Sequence, residues 1–501
     1  MNQNSSVQIC NPSLTLFAFH LRNSLSEGSE QVKDKANHLW EQCVELGEQL
    51  KINELESLKS KLACYDEKTG IYNSALEEAA LEKKYQDKNS SLPLDLLRQE
   101  NSPILKFRSP TLANIPQRSG EIYPLRIHDT YAVDLTFRYK ESVDIAQLSY
   151  LNPNGYLLSS WMRPSLGETL LLFAKPLNDR DDYRTLADNC VNAVLPTTTQ
   201  SLVTCIAQGK LFGGSIFEYE NEQEDPTKHY HLWIWFNPDG VKNLPQETTS
   251  YLLNLLCCRS KILFAYHQAR QGYREARELY SQLETEAQVF NNLSADSDSR
   301  LKKLKELLTK LSPIGFRYAR LLRDMQDSDQ SIITNIENYN RWLQKILQKS
   351  LENFSDDDLE FLKTFRDRTS KRLHEQIQTD LNYLSPGRDM FQQAIALCRG
   401  LVEIDQAERN KQQEDIEKER DRNFQTTAFA VGAGLTVGGI VISASSQVTD
   451  KNPLQIPWSP TASSSPHPFV LWVIGSIVSG LIAAWITWSV TKCWQKHSKD
   501  A

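Results

Sequence analysis

The sequence predicts an α+β protein: a cytoplasmic α/β domain, a long helical domain with a stalk helix, and two C-terminal transmembrane helices. Three observations carry that expectation. The stretch TYAVDLTFRY alternates apolar and polar side chains with a period of two, as a strand does. Beyond Pro245 strand signals stop and apolar residues recur at helical spacing. Two uncharged runs, 424–443 and 469–491, lie near the end of the chain.

Taken in order, residues 1–100 read as a strand followed by a helical region. SLTLFAFHLR, 13–22, has the apolar content of a buried strand. Val32, Ala36, Leu39, Trp40, Cys43 and Val44 then fall at helical spacing, and the helical pattern of 29–85 breaks near 68–70. Prolines and serines mark 101–128 as a linker. Residues 129–245 form the α/β domain. Its clearest strand sets Tyr131, Val133, Leu135, Phe137 and Tyr139 against Ala132, Asp134, Thr136 and Arg138. GETLLLFAK, GGSIFEYE and HYHLWIWF are further strands, with a helix at 181–195 between the first two.

Residues 246–385 are the long-helix domain, with helices expected over 247–291, 299–311, 315–350 and 355–383. Ser355 with Asp356, Asp357 and Asp358 gives a helix start, acids lying on the positive end of the dipole. The stalk helix, 386–423, has apolar positions Phe391, Ala394, Ile395, Cys398, Leu401, Val402 and Ala407. Past Glu408 it is polar all round. Such a helix needs partner helices, so a coiled coil and a homo-oligomer are expected.

The run 424–443 is long enough to cross a ~30 Å hydrocarbon layer as a helix. The run 469–491 carries Trp472, Trp485 and Trp488, with indoles near both ends. An outside loop, 447–468, separates them, and 492–501 is a basic tail. Lys418, Arg420 and Arg422 precede the first run, and Lys492, Lys496 and Lys499 follow the second. That bias predicts a multi-pass protein of the cell inner (plasma) membrane, with the lipid bilayer as partner and both termini cytoplasmic. On the first span Ala428, Gly432, Thr436, Gly439 and Ser443 form one stripe of small or polar side chains, which would line a pore. Ala430, Gly434 and Gly438 form a second stripe suited to close helix packing.

The charge balance excludes some functions. A net charge of −7 and a pI near 5.8 do not fit a protein built to grip nucleic acid. Nine cysteines lie scattered without a CxxC pair, only Cys257 and Cys258 adjoining, so neither a disulfide framework nor a zinc site is read. These two sit in the apolar LLNLLCCRSKILFAY and are expected in the core. His229 and His231 share a strand face, which could offer two imidazoles to a metal, or pack them beside Trp233 and Trp235; the packing reading is preferred. His20, His128, His267 and His374 have no companions at ligand spacing. GKLFGG and NPNG are turns rather than phosphate loops. No enzyme and no cofactor are expected.

This order of parts resembles the CorA-like magnesium channels. The likeness runs from about Asp129 to Ala501 and is architectural. The family's Gly-Met-Asn signature is absent, SSQVTDKNP standing in its place with Asp450 and Asn452 as cation-attracting groups beside Lys451. The resemblance implies a homo-oligomer, a pentamer in that family, whose first span lines an ion-conducting pore gated by the cytoplasmic domain, with a divalent cation as the ion. The alternative is a membrane-anchored scaffold or effector that binds a protein partner through its cytoplasmic helices without transport.

Overall fold

The computed structural model describes residues 8–23, 32–85, 93–98, 102–110, 117–177, 182–238, 247–288 and 297–416, with scattered positions between 478 and 490. The chain divides into two compact units, Met1–Gly400 and Leu401–Ala501. The first is built on one mixed sheet of ten strands. In chain order these are β1 (Gln8–Leu21), β2 (Leu94–Asp95), β3 (Leu105–Arg108), β4 (Ser119–Ile127), β5 (Thr130–Arg138), β6 (Ser142–Asp144), β7 (Gly167–Pro176), β8 (Thr204–Leu211), β9 (Gly214–Glu220) and β10 (His231–Phe236). Their order across the sheet is β8-β9-β10-β7-β1-β5-β4-β2, with β3 beside β4 and β6 beside β1. Only β10 with β7 is a parallel pair; the other pairs are antiparallel.

Both faces of this sheet are covered, which explains the near-continuous apolar runs of β1 and β10. On one face Leu14, Leu16 and Ala18 of β1 join Val133, Leu135 and Phe137 of β5. Helices α1 (His38–Leu50) and α3 (Tyr183–Val194) close that core, chiefly through Leu39, Trp40, Cys43 and Cys190. A third helix, α2 (Ser74–Lys84), is anchored by a buried ion cluster. Its Glu77, fully buried, lies 3.0 Å from Arg22 and 2.9 Å from Arg126, and accepts the Tyr131 hydroxyl.

On the other face Phe17, Phe19, Trp233 and Trp235 meet long helices. These are α4 (Thr248–Ala287), α5 (Ser297–Asn353) and α6 (Lys371–Ile416). α6 follows a short turn, Glu360–Thr364, and one wide turn, Phe365–Ser370. Within the first unit α6 buries Leu373, Ile377, Asp380, Leu384, Gly387 and Phe391, a 4-3-4-3-4 spacing that makes a coiled-coil seam. Asp380 pairs with Arg270 of α4, and His374 lies 2.7 Å from Asp329 of α5.

Several expectations need correction. The strand read at 13–22 is the centre of the sheet, so the N-terminal region is not separate from it. The stretch read as a linker, 101–128, supplies β3 and β4. The helices expected at 299–311 and 315–350 are one, running through Pro313, because Leu311 and Tyr318 on either side are both fully buried and hold the axis. α6 likewise runs through Pro386: the Tyr318 hydroxyl donates to the Leu384 carbonyl at 2.6 Å, and Gly387 lets that tyrosine approach the backbone. The acids at 356–358 do more than start a helix. Asp357 accepts from the backbone N–H groups of Phe212 (2.6 Å) and Gly213 (2.8 Å), fastening the β8–β9 turn, where both residues have positive φ.

The two transmembrane helices are the largest correction. Among the described residues no helix is long and apolar enough to cross a membrane. α4, α5 and α6 have the length but carry charged side chains throughout. The expected multi-pass location in the plasma membrane, with cytoplasmic termini, falls with the spans. Residues 424–443, including Ala428, Gly432, Thr436, Gly439 and Ser443 and the packing stripe Ala430, Gly434 and Gly438, lie outside the described residues.

The ion cluster gives a direct check on the core. Glu77→Ala strands two arginines in a buried place and should lower stability by on the order of 3–5 kcal/mol. Glu78→Ala removes a partner of the same arginines that is 36% exposed, and should cost less than about 1 kcal/mol. Denaturant unfolding of the two variants measures the difference.

Candidate functional site

The two histidines singled out in the sequence lie side by side on the helix-facing side of the sheet. The His229 and His231 rings stack with centroids 6.2 Å apart, and His231 meets Trp233 edge-on. Both ring nitrogens of His231 are engaged, Nδ1 by the Thr169 hydroxyl at 2.7 Å and Nε2 by Glu218 at 2.8 Å. Burial, and then the charge of Arg259, hold its pKa well below the ordinary value, so the ring is neutral. His229 lies 3.3 Å from Glu220, which Arg259 grips at 2.7 Å. Burial pushes the Glu220 carboxyl up, but His229 and Arg259 outweigh it and bring it down to about 2. These residues form a polar network between β9, β10 and α4 in which Arg259 Nε has no hydrogen-bond partner, and the network borders a cavity of about 680 Å³. Among the described residues no group of three or more His, Cys, Asp or Glu is placed to hold a metal. Cys257 and Cys258 are buried on α4 within the same core.

A more open site lies further along the same face, and the sequence did not single it out. Strand pairing sets side chains in rows across β7, β1, β5 and β4. One row is Phe173, Ser13 and Arg138; the next is Leu171, Thr15, Thr136 and Glu121; the third brings Phe17, Asp134 and Tyr123 together. Because side chains alternate, all of these fall on one face while Leu14, Leu16, Val133 and Leu135 fall on the other. The rows floor a cavity of about 1050 Å³, and the first turns of α4, from Thr248 to Leu253, form a wall of it.

The floor is polar in its middle and aromatic at its side. Thr15 and Thr136 hydroxyls lie 2.7 Å apart, and the Thr136 hydroxyl donates to Asp134 at 3.3 Å. Arg138 pairs with Glu121. Trp235 and Phe173 pack edge to face with centroids 5.0 Å apart, and the Trp235 indole donates to the Leu211 carbonyl. Asp134 keeps part of its surface, but that surface borders the cleft rather than open solvent. Burial, and then the charge of Glu121, push its carboxyl up to about 7, against weaker pulls from Thr136 and Arg138.

The wall has unused donors. The first N–H groups of any α-helix lack intrahelical partners and carry its positive end. Glu247, at the cap position of α4, makes no side-chain cap. Thr248 is only 5% exposed and borders the cleft, yet its hydroxyl oxygen has no hydrogen-bond partner. Exposed Lys140 and Lys175 stand on the rim. An uncapped positive helix end, two free lysines, a buried hydroxyl and an aromatic side are the parts of a pocket for a small organic anion.

No family model, curated protein or solved structure matches this chain. The likeness to CorA-type channels therefore rests on the order of parts in the sequence alone.

Asp134 gives the site a pH signature. Its folded-state value is raised above the ordinary 3.8. Between about pH 4 and 7 the folded chain keeps a proton that the unfolded chain has released. The stabilising contribution of the neutral carboxyl is thus complete below pH 4 and lost as pH rises through 7. Asp134→Asn stays neutral throughout, so it should lose less stability than the parent between pH 4 and 8 in thermal unfolding. Parallel curves for the two proteins would show that the carboxyl titrates normally.

Proposed function

We propose that this chain is a ligand-binding protein whose sheet unit takes a small organic anion with an apolar body into the cleft between the sheet and α4. The observation that carries the reading is Thr248: a buried, unpartnered hydroxyl in the uncapped first turn of a 40-residue helix, bordering the cleft of about 1050 Å³. A buried polar group without a partner costs on the order of 1–3 kcal/mol, and a ligand acceptor at that place would recover it. The anionic end of the ligand meets the helix terminus and the rim lysines, and its body lies against Trp235 and Phe173.

The same helix offers a route for coupling. Its first turns border the cleft, while Ala269, Ala276, Leu279 and Leu283 are buried in the bundle with α5 and α6. A ligand that steadies the first turns therefore acts on a rod whose far half is packed against other helices. The reading assigns recognition, not chemistry, to the site: no cysteine or histidine is among its described lining residues.

The dye 8-anilinonaphthalene-1-sulfonate has the required chemistry, a sulfonate on an aromatic body, and serves as probe. It should bind saturably at one site per chain. Thr249→Glu and Lys175→Glu each set a negative charge at an exposed edge of the cleft, and each should weaken binding about tenfold, ~1.4 kcal/mol. Lys371→Glu, far along the chain on α6, should leave the dye's affinity unchanged. Unsaturable binding, or equal affinity in all four proteins, would remove the cleft as the site.

A further inference from the structure

The cavity of about 680 Å³ beside the histidine network is separate from the cleft, and among the described residues the two share no lining side chain. One of its walls is acidic. In FEYENEQE, 217–224, every second residue is glutamate, so Glu218 and Glu220 on the helix-facing side of β9 are followed in the lining by Glu222 and Glu224. The glutamates outnumber the arginines that face them, Arg259 of α4 and Arg372 of α6. Arg259 is already committed, its Nη2 holding Glu220 at 2.7 Å and lying 4.0 Å from Glu218. Glu224 pairs with Arg274. Glu222 is exposed and, among the described residues, makes no ion pair. Negative charge is therefore left over at this wall.

A second, independent feature is a donor without an acceptor. Arg259 is only 6% exposed, its guanidinium lies 5.1 Å from the centre of the Phe365 ring, and its Nε–H has no partner. A buried donor on a charged group is costly to leave unpaired, so an oxygen that meets it is favoured. A carboxylate oxygen would bring one more negative charge to a wall already rich in them, whereas a carbonyl meets the donor without that repulsion. Tyr266 of α4 adds an aromatic side chain to the lining, and aromatic faces attract ammonium groups. We infer that this cavity binds a small organic cation, a protonated amine that also carries an uncharged oxygen acceptor. The ammonium is taken by Glu222 and Tyr266, and the oxygen by the Arg259 Nε–H.

Four compounds with the same apolar body separate the requirements, each titrated calorimetrically into the full 501-residue chain. L-leucinamide has both the ammonium and a carbonyl, and should bind saturably at one site per chain. Its relatives 3-methylbutylamine, which lacks the carbonyl, N-acetyl-L-leucinamide, which lacks the cation, and L-leucine, which adds a carboxylate, should each bind about tenfold more weakly or worse. Glu222→Lys reverses an exposed charge at the rim and should weaken L-leucinamide at least about tenfold. Arg259→Lys keeps a cation beside Glu220 but removes the Nε–H, and should abolish the preference for L-leucinamide over 3-methylbutylamine. The parent's own preference between those two amines tests the acceptor without any substitution. Thr249→Glu in the cleft should leave L-leucinamide affinity unchanged, and saturating L-leucinamide should leave dye binding unchanged, which keeps this site distinct from the anion cleft. Absence of saturable L-leucinamide binding, or equal affinity for the N-acetyl compound or for L-leucine, would overturn the proposal. Binding that Glu222→Lys does not weaken would place the amine elsewhere and overturn it equally.

Discussion

Strand β1 is hydrogen-bonded along both edges, to β5 and to β7, and its two faces look into different surroundings. Leu14, Leu16 and Ala18 must enter the core closed by α1 and α3, while Ser13, Thr15 and Phe17 must face the long helices. A slip of one residue would exchange the two sets, putting hydroxyls into the closed core and leucines into the cleft. The register of this central strand therefore fixes the core, and it also fixes the rows from which the cleft floor is made. The polar rows tolerate their position because α4 lies over them without filling the space.

Much of this fold was legible in the sequence. The period of two in TYAVDLTFRY marked β5, and the helical spacing past Pro245 marked the three long helices. Boundaries inside those helices were misread for one reason: Pro313 and Pro386 signal a break locally, but buried neighbours on both sides hold each helix together. The linker was misread because a strand such as β4, SGEIYPLRI, carries a proline and gains its place through its partners β5, β3 and β2. The apolar runs at 424–443 and 469–491 have a hydropathy that suggests spans, and the described helices give no support to that suggestion.

The candidate site was hidden for a different reason. Asp134, Thr136 and Arg138 read as the solvent side of a half-buried strand, and nothing local says that α4, more than a hundred residues later, forms a roof over them. His229 and His231 drew attention as a motif, yet both are absorbed by Thr169, Glu218 and Glu220. The useful signal was an alternating strand whose polar face holds an acid, a hydroxyl and a guanidinium at steps of two. The cleft is a surface that the chain's own packing leaves incomplete, at an uncapped helix end.

The central claim is that the cleft is a recognition site and that its occupancy is felt by α4. Amide hydrogen exchange, followed with and without saturating 8-anilinonaphthalene-1-sulfonate, tests it most directly, because the first turn of an uncapped helix exchanges readily until its N–H groups find acceptors. Slower exchange at Thr248–Leu253 and along the cleft strands around Asp134 and Thr136, extending into α4 beyond Ala269, is the result this account predicts. Unchanged exchange at Thr248–Leu253, with protection confined to another surface, would contradict it.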